Sequence, residues 1–178
     1  MRTSKAGVCS DTGFTLIELA MVMLVIAIIM AVAMPRVGGM LDRQQMQRTI
    51  NVLRGTVRYL QARAALTKRV YRLMVDLDRH VLSICYLDVG APEGCRPEPT
   101  RELRDYVLPE AVHILDVVTP QGEKIRAGIA NTHFHPSGFA ETSIIHLGSD
   151  NQQRFTLMIE PLSGRIKVYD GYVELETS

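Results

Sequence analysis

Three groups of residues in this 178-residue chain have the types and spacing to do chemistry. Glu18 is a carboxylate set in an otherwise apolar run, where a charge is costly and usually functional. Cys85 and Cys95 are ten residues apart, the second in a loop rich in Pro and Gly. His133 and His135 are two apart and would share one face of a strand, with His146 on a neighbouring strand. The histidines invite a metal reading, but no Cys, Asp or Glu completes a recognisable ligand spacing, so neither a metal site nor a cofactor is expected. Histidines on a sheet surface, flanking a core Phe134, are the expected arrangement. There is no phosphate-binding glycine loop, no nucleophile elbow and no paired-carboxylate motif, so an enzyme is not expected.

The elements that must position these residues are marked by where apolar and charged residues lie. From Leu19 to Met34 the sequence LAMVMLVIAIIMAVAM has no polar side chain, and back to Phe14 only Thr15 and Glu18 interrupt it. A helix over 14–34 spans about 30 Å, the thickness of a bilayer's hydrocarbon core. A cleaved secretory signal is disfavoured, because the run exceeds an h-region of roughly 7–15 residues and lacks a small-x-small exit before Pro35. The net charge is only +1, from 20 basic and 19 acidic residues, which excludes a strongly cationic nucleic-acid binder. The charges are segregated, however: nine basic residues and one acid, Asp42, lie between Arg36 and Arg72, whereas the chain beyond carries nine basic and sixteen acidic residues.

The basic segment reads as helix. Met46, Ile50, Leu53, Val57, Leu60 and Ala64 form one stripe on a 3.6-residue period, with Arg43, Arg48, Arg54, Arg58 and Arg63 between the stripe positions. Pro35 with Gly38 and Gly39 predicts a kink between the two parts of the helix. After Lys68 the period changes. Val70–Leu77 and His80–Leu87 predict a hairpin, followed by a loop over Asp88–Pro99 and further strands at Ala111–Thr119, Ala130–His135, Thr142–Gly148, Arg154–Glu160 and Gly164–Gly171. The predicted fold is α+β, a long N-terminal membrane-spanning helix whose apolar stripe packs on an antiparallel β-sheet or sandwich head. Its parts are a leader over 1–13, a transmembrane half-helix over 14–34, an amphipathic half over 35–68 and a β head over 69–178.

At the start of the apolar run stands Gly13-Phe14-Thr15-Leu16-Ile17-Glu18-Leu19, closing a short polar leader. This closely resembles the prepilin signature of type IV pilins and type II secretion pseudopilins. Its three conditions are positional: a Gly ends the leader, a Phe opens the run, and a lone Glu follows four residues on. Further along, Leu108-Pro109-Glu110-Ala111-Val112, His133-Phe134-His135-Pro136-Ser137-Gly138 and the hairpin end Pro161-Leu162-Ser163-Gly164-Arg165-Ile166-Lys167-Val168 look like the H-type minor pseudopilins of the general secretion pathway. Related minor pilins of type IV pili share this pattern.

The resemblance implies cleavage between Gly13 and Phe14 by a prepilin peptidase, with N-methylation of the new Phe14 amine and loss of Cys9 with the leader. It implies a structural subunit of a pseudopilus that supports protein export across the outer membrane. Glu18 would set the register by neutralising a neighbour's amine. Within the class the alternative is a minor pilin of a type IV pilus; outside it, a DNA-uptake subunit. The basic helix has only Tyr59 and Tyr71 near it, a poor platform for single strands, so nucleic acid is not expected as a partner. Expected partners are the peptidase, other major and minor pseudopilins, and assembly-platform membrane proteins with a separate ATPase. The implied location is the inner membrane, single-pass, N-terminus cytoplasmic and head periplasmic; the flanking charges do not decide that orientation. In an oxidising periplasm Cys85 and Cys95 could form a bridge; the alternative is a buried Cys85 with a free thiol at Cys95.

Overall fold

The computed structural model describes residues 15–91, 94–97 and 105–175, without the side chains of 32–41. The chain divides into two compact units, Met1–Met40 and Leu41–Ser178. One helix, α1, covers Leu16–Thr67 and so contributes to both. Its backbone is helical through Pro35, Gly38 and Gly39, where the sequence predicts a kink.

In the first unit the helix starts at a local cap. The backbone N–H of Glu18 donates to Thr15 Oγ1 at 3.3 Å and to the Thr15 carbonyl at 3.1 Å. Thr15 and Glu18 are spaced as in a capping box, and an acid in the first turn also suits the helix dipole. From Thr15 to Ala31 every side chain is exposed, including Leu16 at 88%, Met23 at 62% and Ile29 at 60%. Among the described residues no helix is long and apolar enough to cross a membrane. The span predicted over Phe14–Met34 lies partly outside those residues, at Phe14 and at the side chains beyond Ala31.

The second unit is the head. Here the helical stripe behaves as its period predicts: Met46, Ile50, Leu53, Val57, Leu60 and Ala64 are all buried. They join a core with Leu73, Val75, Ile84, Phe134, Ile145, Leu147 and Leu157. Burying each such aliphatic side chain contributes about 1.5–3 kcal/mol. Arg43, Arg48 and Arg58 on the opposite face are exposed, while Arg54 and Arg63 are half-buried.

Among the described residues, ten strands make two antiparallel sheets. The first runs β1 (Tyr71–Asp76), β2 (Val81–Leu87), β3 (Cys95–Pro97), β4 (Asp105–Val107) and β7 (Ile129–Phe134), with β1 central between β2 and β7. β3 and β4 pair with opposite ends of one edge of β2. The second has the order β10 (Ile166–Asp170), β9 (Arg154–Ile159), β8 (Ser143–Ser149), β5 (Val112–Val118), β6 (Lys124–Ile125). The predicted hairpin and the five later strands are present within a residue or two, while β3, β4 and β6 are additions. β3 lies inside the segment read as a loop, and pairing with β2 makes it a strand. The turn from β7 into β8 carries the chain between the sheets, with Thr132 Oγ1 and Ser143 Oγ 2.7 Å apart in the interior.

Candidate functional site

Of the residues singled out by the sequence, Gly13 and Phe14 lie outside the described residues. Glu18 lies in the first helical turn with an exposed side chain. The same position serves local helix initiation through the Thr15 cap, a role the sequence reading did not assign to Glu18. All round, this half of the helix presents apolar side chains. A helix of that kind is stable only within other apolar material, a protein interior or a bilayer. That surface, with one carboxylate near its start, is the candidate functional site of the first unit.

In the head, Cys85 and Cys95 form a disulfide, with Cα atoms 5.8 Å apart. Cys85 is buried in β2 and Cys95 opens β3, so the bond staples the short edge strand beside the register pairs Cys85↔Pro97 and Leu87↔Cys95.

The histidines do not converge. His133 Nε2 accepts from Arg72 Nε at 3.0 Å, which places the ring proton on Nδ1, 2.7 Å from Glu141 Oε2. His135 packs against Phe139 with ring centroids 5.8 Å apart. His146 lies in the other sheet and is buried, not on a strand adjoining β7 as the sequence reading has it. Strand order accounts for the difference: β7 closes the first sheet, while β8 starts a new pairing with β5 and β9. Among the described residues no group of three His, Cys, Asp or Glu could hold a metal ion.

Two features of the head escape the sequence reading. The first is Gln61, on the helix. Its Nε2 donates to the Gly138 carbonyl at 2.9 Å, and its side chain fills the space that a Cβ at Gly164 would need. Gly138 and Gly164 both have positive φ, 86° and 56°, so each turn needs the left-handed conformation that glycine adopts without strain. Gln61 thus ties the turn after β7 and the turn before β10 to the helix. The second is a buried polar cluster around His146 and Asp116, whose sign in the sequence is one charged or titratable residue in each of two apolar runs, ILDVV and SIIHLG.

Comparison with known proteins bears on both units. Residues 10–34 match the family described as the prokaryotic N-terminal methylation motif. No curated protein matches the chain significantly. Among solved structures, the minor pseudopilin EpsH from the type II secretion system of Vibrio cholerae is similar in fold, with a TM-score of 0.57 at 12% identity over 70% of this chain and 94% of EpsH. A crystal structure of the same protein also gives a TM-score of 0.57 at 12% identity, over 74% of this chain and 98% of the other. The chain therefore carries the N-terminal methylation motif of prepilin-type proteins, and its fold is pilin-like.

Proposed function

We propose that this chain is a minor pseudopilin, a structural subunit of a type II secretion pseudopilus that supports protein export across the outer membrane. The observation that carries the reading is the union of two features in one chain: an N-terminal methylation motif over residues 10–34 and a fold like that of EpsH. A prepilin peptidase cuts between Gly13 and Phe14, and the Phe14 amine is methylated. The helix over 14–34 first lies in the inner membrane, N-terminus cytoplasmic and head periplasmic. In the fibre, the same apolar surface packs against the helices of other pseudopilins. Assembly draws on platform proteins and a separate ATPase.

Glu18 makes the assembly directional. A carboxylate within the hydrocarbon is costly, about 2.5–3.5 kcal/mol at the bilayer centre and less toward the interface, where Glu18 lies. Pairing with the cationic amine of a neighbouring subunit offsets that cost, and low dielectric strengthens the attraction. The exposed side chain in the first helical turn is compatible with this intermolecular role. The test is Glu18→Ala beside Glu18→Gln, read by cross-linking to the other pseudopilins in membranes. Both variants should insert and be cleaved, and both should fail to co-assemble, because neither neutralises an amine. Normal co-assembly of both would reduce Glu18 to a helix-starting residue. Deleting the chain should abolish export of secreted enzymes; loss of surface pili with export intact would instead assign it to a type IV pilus.

A further inference from the structure

The buried cluster on the second sheet belongs to none of these roles. A one-residue bulge between Ile114 and Asp116 places Asp116 opposite His146. Both are almost wholly buried. Residues 171–175, following β10, cross the face of the sheet that carries His146. The Gly171 N–H donates to the Arg154 carbonyl at 2.8 Å. Thr156 Oγ1 donates to the Gly171 carbonyl and accepts from the Val173 N–H, each at 2.9 Å. Tyr172 stacks on His146 with ring centroids 4.0 Å apart and planes 17° from parallel, and its hydroxyl donates to Asp116 Oδ2 at 2.8 Å. At the far side, Lys124 Nζ lies 3.0 Å from Glu174 Oε1, and Tyr172 and Glu174 hold its ammonium above the ordinary lysine range.

The hydrogen-bond count at His146 sets the cluster apart. Its Nδ1 is 2.6 Å from Asp116 Oδ1 and its Nε2 is 3.1 Å from the Val173 carbonyl. A neutral imidazole has one N–H and one lone pair, whereas a carboxylate and a carbonyl can only accept. Both contacts are satisfied together only when the His146–Asp116 pair holds one proton more than a neutral imidazole beside a carboxylate. The groups facing the pair are Tyr172 and Glu174 on the crossing segment, Lys124 on β6, and Thr156 and the Arg154 carbonyl on β9. Of these, Lys124 and Glu174 form an ion pair with each other.

We propose that residues 171–175 form a proton-latched strap, closed while the His146–Asp116 pair holds that extra proton and released when it is lost. Loss of the proton leaves a ring lone pair facing either Asp116 or the Val173 carbonyl. The ring cannot turn away without breaking its stack on Tyr172, so the strap moves with it. The strap is therefore closed on the acid side and opens as pH rises. Opening widens a recess of about 460 Å³ lined by Val118, Lys124, His146 and Glu174.

Hydrogen exchange on the full-length chain in detergent micelles, followed by mass spectrometry from pH 5 to pH 8 and corrected for intrinsic rates, tests the strap. Protection in peptides covering 171–175 should fall by about tenfold, the effect of one charge-assisted hydrogen bond. Peptides covering β8 and β9 should keep theirs. His146→Gln, which can donate to only one of the two acceptors, should give low protection that does not change with pH. Tyr172→Phe keeps the ring stack and removes only the hydroxyl, so it should lower protection yet keep the pH dependence. Flat protection across this range in both the parent and Tyr172→Phe overturns the latch, as does a pH dependence that survives in His146→Gln.

Discussion

The two halves of α1 are built from the same kinds of apolar residue and meet opposite fates. Between Leu16 and Ala31 the apolar side chains cover the whole circumference and all are exposed. Between Met46 and Ala64 they are confined to one stripe, and that stripe is buried by the head's two sheets. The second half is satisfied within its own chain. The first half leaves its apolar side chains exposed. Under the proposed function, it is this contrast that suits the chain to polymerise.

Truncating the stripe and truncating the exposed run should therefore separate cleanly. Leu53→Ala removes a fully buried side chain and should destabilise the head by about 2–5 kcal/mol. Val25→Ala, in the exposed run, should leave head stability unchanged. Denaturant titration of detergent-held protein, followed by tyrosine fluorescence, measures both. Equal losses would erase the distinction between the halves.

Removing the staple should be the next largest effect. Cys85→Ser with Cys95→Ser reopens the short loop and should cost about 2–3 kcal/mol by the chain-entropy account. The loss should appear as exchange at Cys95–Pro97, with the helix stripe still protected.

Two glycines sharpen the contrast between the faces of the head's helix. Gly55 is helical and exposed, with open space where a Cβ would be, so Gly55→Ala should stabilise by about 0.5–1 kcal/mol. At Gly164 the backbone is left-handed and a Cβ would strike the Gln61 side chain, so Gly164→Ala should cost about 1–3 kcal/mol. Thermal unfolding of the pair should show opposite signs.

The smallest effect is electrostatic. Lys167 Nζ lies 2.5 Å from Glu160 Oε1, and Ser163 Oγ donates to Glu160 Oε2 at 2.6 Å. Lys167 and Ser163 hold the Glu160 carboxyl below the ordinary glutamate range, and Glu160 holds the Lys167 ammonium above the lysine range. The depressed Glu160 contributes stability above its unfolded-state value, lost as pH falls through its folded one. The raised Lys167 contributes below its unfolded-state value, lost as pH rises through its folded one. Both groups are surface-placed, so the hairpin should change little across neutral pH. An NMR titration of Glu160 should show its midpoint displaced to the acid side, and Lys167→Met should return it toward the ordinary range.

What was legible in the sequence was whatever has a period or a fixed position. The stripe from Met46 to Ala64 repeats often enough to define a face, and GFTLIE is read by position. The later strands alternate over five to seven residues between Gly and Pro. The two- and three-residue strands β3, β4 and β6 are too short to show alternation, and distant partners alone make them strands. The same holds for Gln61, whose contacts lie 77 residues away at Gly138. Asp116 and His146 were visible as polar residues in apolar strands, but only strand pairing with a bulge brings them face to face.

Under the proposed function, the exposed half of α1 begins at a processed, methylated terminus and joins a fibre. Intact mass and N-terminal sequencing of the protein extracted from membranes test it most directly. The extracted chain should begin at Phe14 and carry one added methyl group. An unprocessed Met1, or a mature terminus after Pro35, would contradict it.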